Sequence, residues 1–192
     1  MAPLHSFHRQ KIPGGWLIML AMAIFPLFAS AQAGSVLERQ VKAAYLYKFA
    51  GFVEWPEGSF AKPDSPVVIG VAGADALADQ LEAAVAGRNA NGRPLQVKRL
   101  KRGESVAGLH MLFVSAALDK ANAQEWMTAC RGQAVLTVSD ADESQAMGSI
   151  INFVMVDERL RFEVALKNAA TAHLRISARM LQAALRVQQV AS

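Results

Sequence analysis

The sequence contains few of the side chains from which metal and redox sites are built. It has one cysteine and four histidines in 192 residues, and only His110 and His173 lie beyond residue 33. A zinc centre therefore lacks obvious ligands, and we expect His110 to be structural. Cys130 has no second cysteine with which to form an internal disulfide. We expect it to be a small buried side chain on a helix rather than a reactive thiol.

The motifs of common enzymes are also missing. No G-x-S-x-G elbow is present, and Ser115 near His110 does not by itself define a hydrolase triad. Residues 70–73 begin and end with glycine after a predicted strand, but a full G-x-G-x-x-G and a P-loop lysine are absent. Because Asp75 would also repel a phosphate, we interpret this segment as a tight strand-to-helix turn. The sequence thus indicates a protein that is not an enzyme and needs no cofactor.

Three carboxylates, those of Asp140, Asp142 and Glu143, lie close together in the sequence, as a calcium site would require. The glycine and the glutamate that an EF-hand loop needs at its sixth and twelfth positions are both absent. We therefore predict no metal site here. Residues 139–148 are interpreted as a solvated, mobile acidic loop.

No hydrophobic run reaches the ~20 residues that span a bilayer. The longest begins near the N-terminus, where Arg9 and Lys11 precede an apolar stretch over residues 16–28 and then several small residues. A positive segment, an apolar core and small residues in this order are typical of a secretory signal peptide. We predict that residues 1–33 are such a peptide.

Two cleavage sites fit the small-x-small rule, one after Ala31 and one after Ala33. We favour the second, which leaves residues 34–192 as a single exported domain. An uncleaved membrane anchor is the alternative, but the apolar stretch is short and Pro26 interrupts it.

The predicted mature chain is nearly neutral. Removing residues 1–33 removes two basic residues and no acidic ones, which leaves 18 basic and 16 acidic residues and a net charge of +2. No basic run alternates with aromatic residues, as a single-stranded nucleic acid groove would need. We therefore predict no nucleic-acid partner.

The rest of the chain alternates short apolar strands with amphipathic helices. Ser35 and Glu38 form a capping box that predicts a helix over residues 36–53, which Pro56 would end. Strands are predicted at residues 67–71, 94–100, 109–114, 134–138, 150–156 and 160–166. Further helices are predicted at residues 74–86, 117–130, 169–173 and 178–187. This order predicts a layered α/β domain, with a mixed sheet of about six strands flanked by helices.

The last two predicted strands should pair as a C-terminal antiparallel hairpin, because only residues 157–159 separate them. Apolar and polar residues alternate in the second strand, which is typical of one buried face and one face in water. The buried set is Leu160, Phe162, Val164 and Leu166, and the water-facing set is Arg161, Glu163 and Ala165.

Aromatic residues are concentrated at the end of the first predicted helix. They are Tyr45, Tyr47, Phe52 and Trp55. Aromatic residues at helical spacing usually belong to a core, but tyrosine and tryptophan are also frequent in binding hot spots. Both interpretations stay open on the sequence alone.

Several segments together are similar to one known family. They are VKAAYLYKF (residues 41–49), FVEWP (52–56), GRPLQV (92–97), VLTVSD (135–140), GSIINF (148–153) and FEV (162–164), with Ile176, Ser177 and Leu181 after them. Their order and spacing over residues 41–187 are specific, although no single segment is diagnostic. The chain resembles the YfiR-like periplasmic proteins.

This resemblance implies a regulator, often dimeric, that binds the periplasmic part of an inner-membrane diguanylate cyclase and holds it inactive. An outer-membrane lipoprotein that sequesters the regulator would raise cyclic di-GMP and favour biofilm formation. The implied partner surface includes the hairpin, where Glu163 matches the family motif and Ile151 stands where an aromatic residue can occur. With Arg161 and Trp55, these residues are our candidate partner-binding set. The cysteine pair of some members is replaced by Gln145 and Asn152, so redox control through that bridge should be absent.

A second hypothesis is a periplasmic small-ligand sensor or binding protein that acts with a membrane sensor kinase. The aromatic cluster supports it, and so do the loop ends of the predicted sheet, where α/β folds usually place ligands. Binding of aromatic metabolites would favour this hypothesis, and recovery of a membrane cyclase would favour the first.

Overall fold

The computed structural model describes the backbone of residues 25–189 and the side chains of residues 35–189. Residues 1–24 of the predicted signal peptide lie outside the described part, so the signal peptide stays a prediction. The fold reported below belongs to the compact unit that begins at Glu38. None of the described helices has the length and apolar character needed to cross a membrane.

The first helix, α1, spans Phe25–Phe49. It runs through Ser35, so the prediction that Ser35 caps the start of this helix is wrong. The helix also ends before Val53, because Val53–Glu54 forms a short strand, β1, that pairs antiparallel with β9 (Arg175–Ile176). This pairing joins residues far apart in the chain, so local sequence could not reveal it.

The main sheet contains eight strands rather than the predicted six or so. In chain order they are β2 (Val67–Ala72), β3 (Asn89–Ala90), β4 (Arg93–Leu100), β5 (Met111–Val114), β6 (Leu136–Ser139), β7 (Ile151–Val156), β8 (Arg159–Ala165) and β10 (Arg186–Gln188). Across the sheet the order is β10-β8-β7-β6-β5-β2-β4-β3. The sheet is mixed, because β7 with β8 and β3 with β4 are antiparallel while the other neighbours are parallel. The predicted mixed sheet and C-terminal hairpin are confirmed.

Five further helices follow α1 in the described part of the chain. They are α2 (Asp75–Val85), α3 (Lys120–Ala129), α4 (Ser144–Met147), α5 (Leu166–Thr171) and α6 (Ala178–Ala183). The prediction of one mobile loop over residues 139–148 is wrong, because α4 occupies its second half. The predicted helix over residues 178–187 ends at Ala183, and the chain then enters strand β10.

The core has two layers, one on each face of the sheet. On one face, α1 and α2 contribute Leu46, Phe49 and Leu81 to a buried cluster with residues such as Phe113. On the other face, α3 contributes Trp126, which belongs to a buried cluster with residues of β2, β4 and β5. Helices therefore flank the sheet as predicted, but α3 covers only its central strands.

Gly73 lies in the tight turn between β2 and α2, as predicted. Its φ is +74°, and a Cβ atom at this position would lie 2.5 Å from Cγ of Leu118. The position therefore requires glycine for backbone conformation and for packing. The space beside this turn is filled by an apolar side chain of the protein itself.

Cys130 follows the last residue of α3 and is buried, with 4% of its surface exposed. Burial raises the pKa of its thiol to about 12. The predicted role of a small buried apolar side chain is confirmed, since such a thiol is protonated and shielded at neutral pH.

Candidate functional site

The β7–β8 hairpin presents a face on the side of the sheet that α3 occupies elsewhere. Alternation of side chains along these strands, and pairing of Arg186 in β10 with Glu163 in β8, set the composition of this face. We call it the hairpin face and define it by Val154, Val156, Arg159, Arg161, Glu163 and Arg186. Within residues 38–189, no residue of β7 or β8 joins the apolar cluster beneath α3. This half of the sheet therefore presents arginine and valine side chains with no helical layer from α3 over them.

Cross-strand pairing organises the hairpin face. Val154 lies opposite Arg161, and Val156 lies opposite Arg159, in the antiparallel register. Val156 is 37% exposed, and the neighbouring Met155, on the other side of the strand, is 55% exposed. The tip of the hairpin thus combines exposed apolar surface with two arginines, a composition that is frequent at protein–protein interfaces.

The opposite side of the hairpin belongs to the core. Ile151 is fully buried, and Phe153 and Phe162 pack against Tyr45 and Phe49 of α1 with ring centroids 5.0–5.9 Å apart. A partner that docks on the hairpin face would not touch Ile151, so this residue does not belong to the surface with which the resemblance associates it. Tyr45 is half-buried and packs against the same core through Phe49, Phe153 and Phe162.

Glu163 is less accessible than the predicted water-facing strand suggests. Its side chain is 13% exposed, because β10 pairs along β8 and places Arg186 beside it. The Arg186 Nε lies 3.6 Å from Glu163 Oε1. Ala165, also predicted to face water, is buried. Strand β10 causes both differences, because it pairs Arg186 with Glu163 and Gln188 with Ala165. The sequence pattern predicts a helix through residue 187.

A polar cleft of about 770 Å³ adjoins Glu163. Its walls come from α4, α5 and the strands β7, β8 and β10, and they are rich in amide and charged side chains. Gln145, Asn152, Lys167, Asn168 and Gln188 line it together with Glu143 and Glu163. Sequence reasoning missed this cleft, because its walls are distant in the chain. The only signal was the abundance of amide side chains in these segments.

Asn152 holds the acidic loop against β7. With its amide nitrogen facing the loop, it donates to Ser144 Oγ (2.8 Å), to the Ala141 carbonyl (3.2 Å) and to the Ser139 carbonyl (2.9 Å). Asn168 Nδ2 adds hydrogen bonds to the carbonyls of Gln145 (2.9 Å) and Ser149 (2.8 Å). Amide hydrogen bonds therefore restrain the segment where the resemblance places a cysteine pair in some relatives.

Trp55 lies in a different cluster from the hairpin face. Its indole Nε1 donates to the His110 carbonyl at 3.1 Å, and its ring packs edge-to-face on Phe60 and His110. Trp55 is half-buried, and these contacts are with the loop after β1 and the start of β5. The structure thus gives Trp55 a packing role and does not bring it into contact with Arg161 or Glu163.

His110 anchors the same loop, as its predicted structural role requires. Its Nδ1 accepts from the Val68 N–H at 3.1 Å, and its Nε2 lies 3.0 Å from the Ser59 carbonyl. Only the neutral tautomer with a proton on Nε2 satisfies both contacts. Burial lowers the pKa of His110, which stacks on Phe60 at 4.2 Å, and Arg93 lies over the other face of Phe60 at 3.8 Å.

The carboxyl ends of β5 and β6, where α/β folds often bind ligands, are occupied by the protein's own ion pair. Lys42 Nζ lies 2.6 Å from Asp140 Oδ2 and 2.5 Å from Glu38 Oε1. Asp140 Oδ1 accepts from the Ala116 N–H at 2.6 Å. Burial lowers the pKa of Lys42, but the hydrogen bonds and charges of Asp140 and Glu38 outweigh it, so this pKa is raised. Asp140 is therefore a structural carboxylate rather than part of a calcium loop.

Comparison with known proteins identifies the family. A model of the YfiR/HmsC-like family matches residues 39–185, which is most of the chain. The chain belongs to the YfiR/HmsC-like family. This family is regulatory rather than catalytic, and it is periplasmic. No curated protein matches the chain.

Among residues 35–189, no group of three or more histidine, cysteine, aspartate or glutamate side chains is placed to hold a metal ion. The features that stand out instead are the hairpin face and the cleft beside Glu163. Both are surfaces suited to recognition.

Proposed function

We propose that this protein is a periplasmic regulator that binds the periplasmic domain of an inner-membrane diguanylate cyclase and holds the enzyme inactive. The observation that carries the proposal is the hairpin face, which exposes arginine and valine side chains in a member of a regulatory family. Arginine and apolar groups together supply much of the binding energy at interfaces. The alternative partner is a membrane sensor kinase, which would be bound through its periplasmic domain.

In this proposal, release of the regulator raises cyclic di-GMP and favours biofilm formation. An outer-membrane lipoprotein that sequesters the regulator would be one route to release. The regulator itself could act as a homodimer, in which case the hairpin faces of two copies would be presented together. None of these steps requires a catalytic group on the regulator.

The hairpin residues have different roles in the proposed contact. Arg161 and Val154 lie opposite each other and would touch the partner directly. Glu163 is mostly shielded and acts by orienting Arg186, whose side chain is 67% exposed. Trp55 supports the loop after β1, and Ile151 supports the strand from within the core.

The first test is recovery of the partner. The protein, expressed with its own leader and purified from the periplasm, would be used to capture proteins from solubilised inner membrane. We expect a membrane protein with a periplasmic sensing domain and a cytoplasmic cyclase domain. Arg161→Glu should lose this partner, whereas Lys98→Glu, a charge reversal on exposed β4 at the other end of the sheet, should retain it.

One observation favours the small-ligand alternative. A cavity of about 220 Å³ is lined by Trp55 and Phe60 among others, with Glu54 and Arg93 as its charged residues, so it combines aromatic surface with one charge of each sign. A thermal-shift screen of aromatic metabolites tests this function, and absence of any stabilisation would count against it.

A further inference from the structure

A third cavity, besides the polar cleft and the cavity beside Trp55, lies on the α3 side of the sheet, away from the hairpin tip. It has a volume of about 360 Å³, opens to the surface and is lined by the end of α3, the residues at the start of β6 and just before β7, and helices α4 and α5. This volume is within the range of small-molecule sites in proteins, which is roughly 300–1,000 Å³. Three residues that line it, Ala146, Lys167 and Asn168, also line the polar cleft beside Glu163, so the two cavities share a wall.

The lining of this cavity combines apolar surface with two positive charges. Met127, Val135 and Ile150 are buried residues that supply apolar surface. Arg131 and Lys167 are exposed residues that contribute to the same cavity. No acidic residue lines it.

The two cations have no counter-ion among the side chains that the structure describes. Neither Arg131 nor Lys167 forms an ion pair within residues 35–189, although eight such contacts are found there. The end of α3 carries partial negative charge, but Gln133 Nε2 already donates to the Ala129 carbonyl there at 2.8 Å. The two side chains carry two full positive charges, against about half a negative charge at a helix terminus.

We propose that this cavity binds a small amphipathic carboxylate, with its apolar body against Met127, Val135 and Ile150 and its carboxylate between Arg131 and Lys167. The apolar lining disfavours a fully hydrated anion such as inorganic phosphate, since a phosphate offers nothing to pack there. The two cations disfavour an ammonium ligand of the same size. A carboxylate on a short alkyl chain satisfies both parts of the lining.

Isothermal titration of the purified full-length protein with octanoate tests this proposal, with octan-1-ol and octylammonium as probes of equal chain length. We expect saturable binding of octanoate at one site, weaker binding of octan-1-ol and none of octylammonium. Arg131→Gln and Lys167→Gln should each weaken octanoate binding by about threefold to fivefold, because each removes one partly exposed charge contact. Arg179→Gln, an exposed arginine of α6 outside the cavity, should leave the affinity unchanged.

Two results would overturn the proposal. The first is the absence of octanoate binding by folded protein, and the second is equal binding of octanoate and octan-1-ol, which would indicate non-specific apolar adsorption. Because Arg131 and Lys167 are on the surface, their substitution should leave the unfolding transition in place. A loss of octanoate binding in these variants can therefore be assigned to the cavity. The titration contains no cyclase, so its outcome is independent of the proposed regulatory function.

Discussion

Lys42 is a buried cation whose charge is balanced by two acidic neighbours. Only 11% of its side chain is exposed, and Asp140 and Glu38 both lie within 2.6 Å of its ammonium group. Substitution Lys42→Met leaves the Asp140 carboxylate, itself only 16% exposed, without its counter-ion. We expect a loss of about 2–4 kcal/mol in the free energy of unfolding, measured by urea denaturation.

The control for Lys42 is a double-mutant cycle with Asp140→Asn. If the ion pair is the cause, Lys42→Met with Asp140→Asn should cost less than the sum of the two single changes. Additive losses would contradict the ion-pair explanation.

His110 makes the stability of the fold depend on pH. Its pKa in the folded state is lowered, chiefly by burial, below the unfolded value of about 6.5. The unfolded chain therefore binds the proton more readily, so stability is complete above this pH and is lost as the pH falls below it. His110→Asn should remove this contribution, which is visible as a shallower fall in unfolding free energy between about pH 7.5 and 5.5.

The matched control for His110 is His173→Asn. His173 is exposed and has a φ of 56°, a conformation that asparagine accepts. This variant should keep the pH dependence of the parent protein. Equal slopes for the parent and His110→Asn would show that another group controls the response.

Strand β10 forms the edge of the hairpin face and places Arg186 beside Glu163 of β8. It pairs parallel to β8 through three residues, with the Leu185 N–H donating to the Phe162 carbonyl at 2.8 Å beside the pair. Glu163→Lys would place two like charges at one register position, opposite Arg186. We expect faster hydrogen exchange of the amides of residues 185–188, while amides paired between β7 and β8 keep their protection.

Glu163→Gln separates charge from packing in this experiment, because it keeps the shape of the side chain. It should raise the exchange rate less than Glu163→Lys does. Unchanged exchange in the lysine variant would mean that the Arg186–Glu163 contact does not hold β10. If Glu163→Lys weakens partner binding, release of β10 is therefore an explanation to be separated from loss of a direct contact.

The elements that could be predicted from the sequence are those that local pattern determines. Apolar runs located β2, β5 and β7, and period-two alternation placed Phe162 and Val164 correctly in the core. The errors lie where distant residues compete with local preference: Val53 leaves the predicted helix to pair with Ile176, and β10 replaces the end of a predicted helix. Hence Glu163 was expected in water but is shielded by a strand from the C-terminus.

At the scale of the whole molecule, the uneven covering of the sheet explains the proposed function. Helices α1 and α2 pack on one face, whereas α3 packs only on the central strands of the other. In our proposal, the hairpin face on β7, β8 and β10 is the surface that binds the partner. The family match over residues 39–185 includes β7, β8 and the helices that support them.

The measurement that tests this account most directly is the affinity of the purified protein for the periplasmic domain of the captured cyclase, compared for the parent, Arg161→Glu and Lys98→Glu. The account predicts at least a tenfold loss for Arg161→Glu, which corresponds to about 1.4 kcal/mol, and unchanged affinity for Lys98→Glu. Equal affinity of all three proteins, each with an unaltered unfolding transition, would contradict the assignment of the hairpin face as the partner surface.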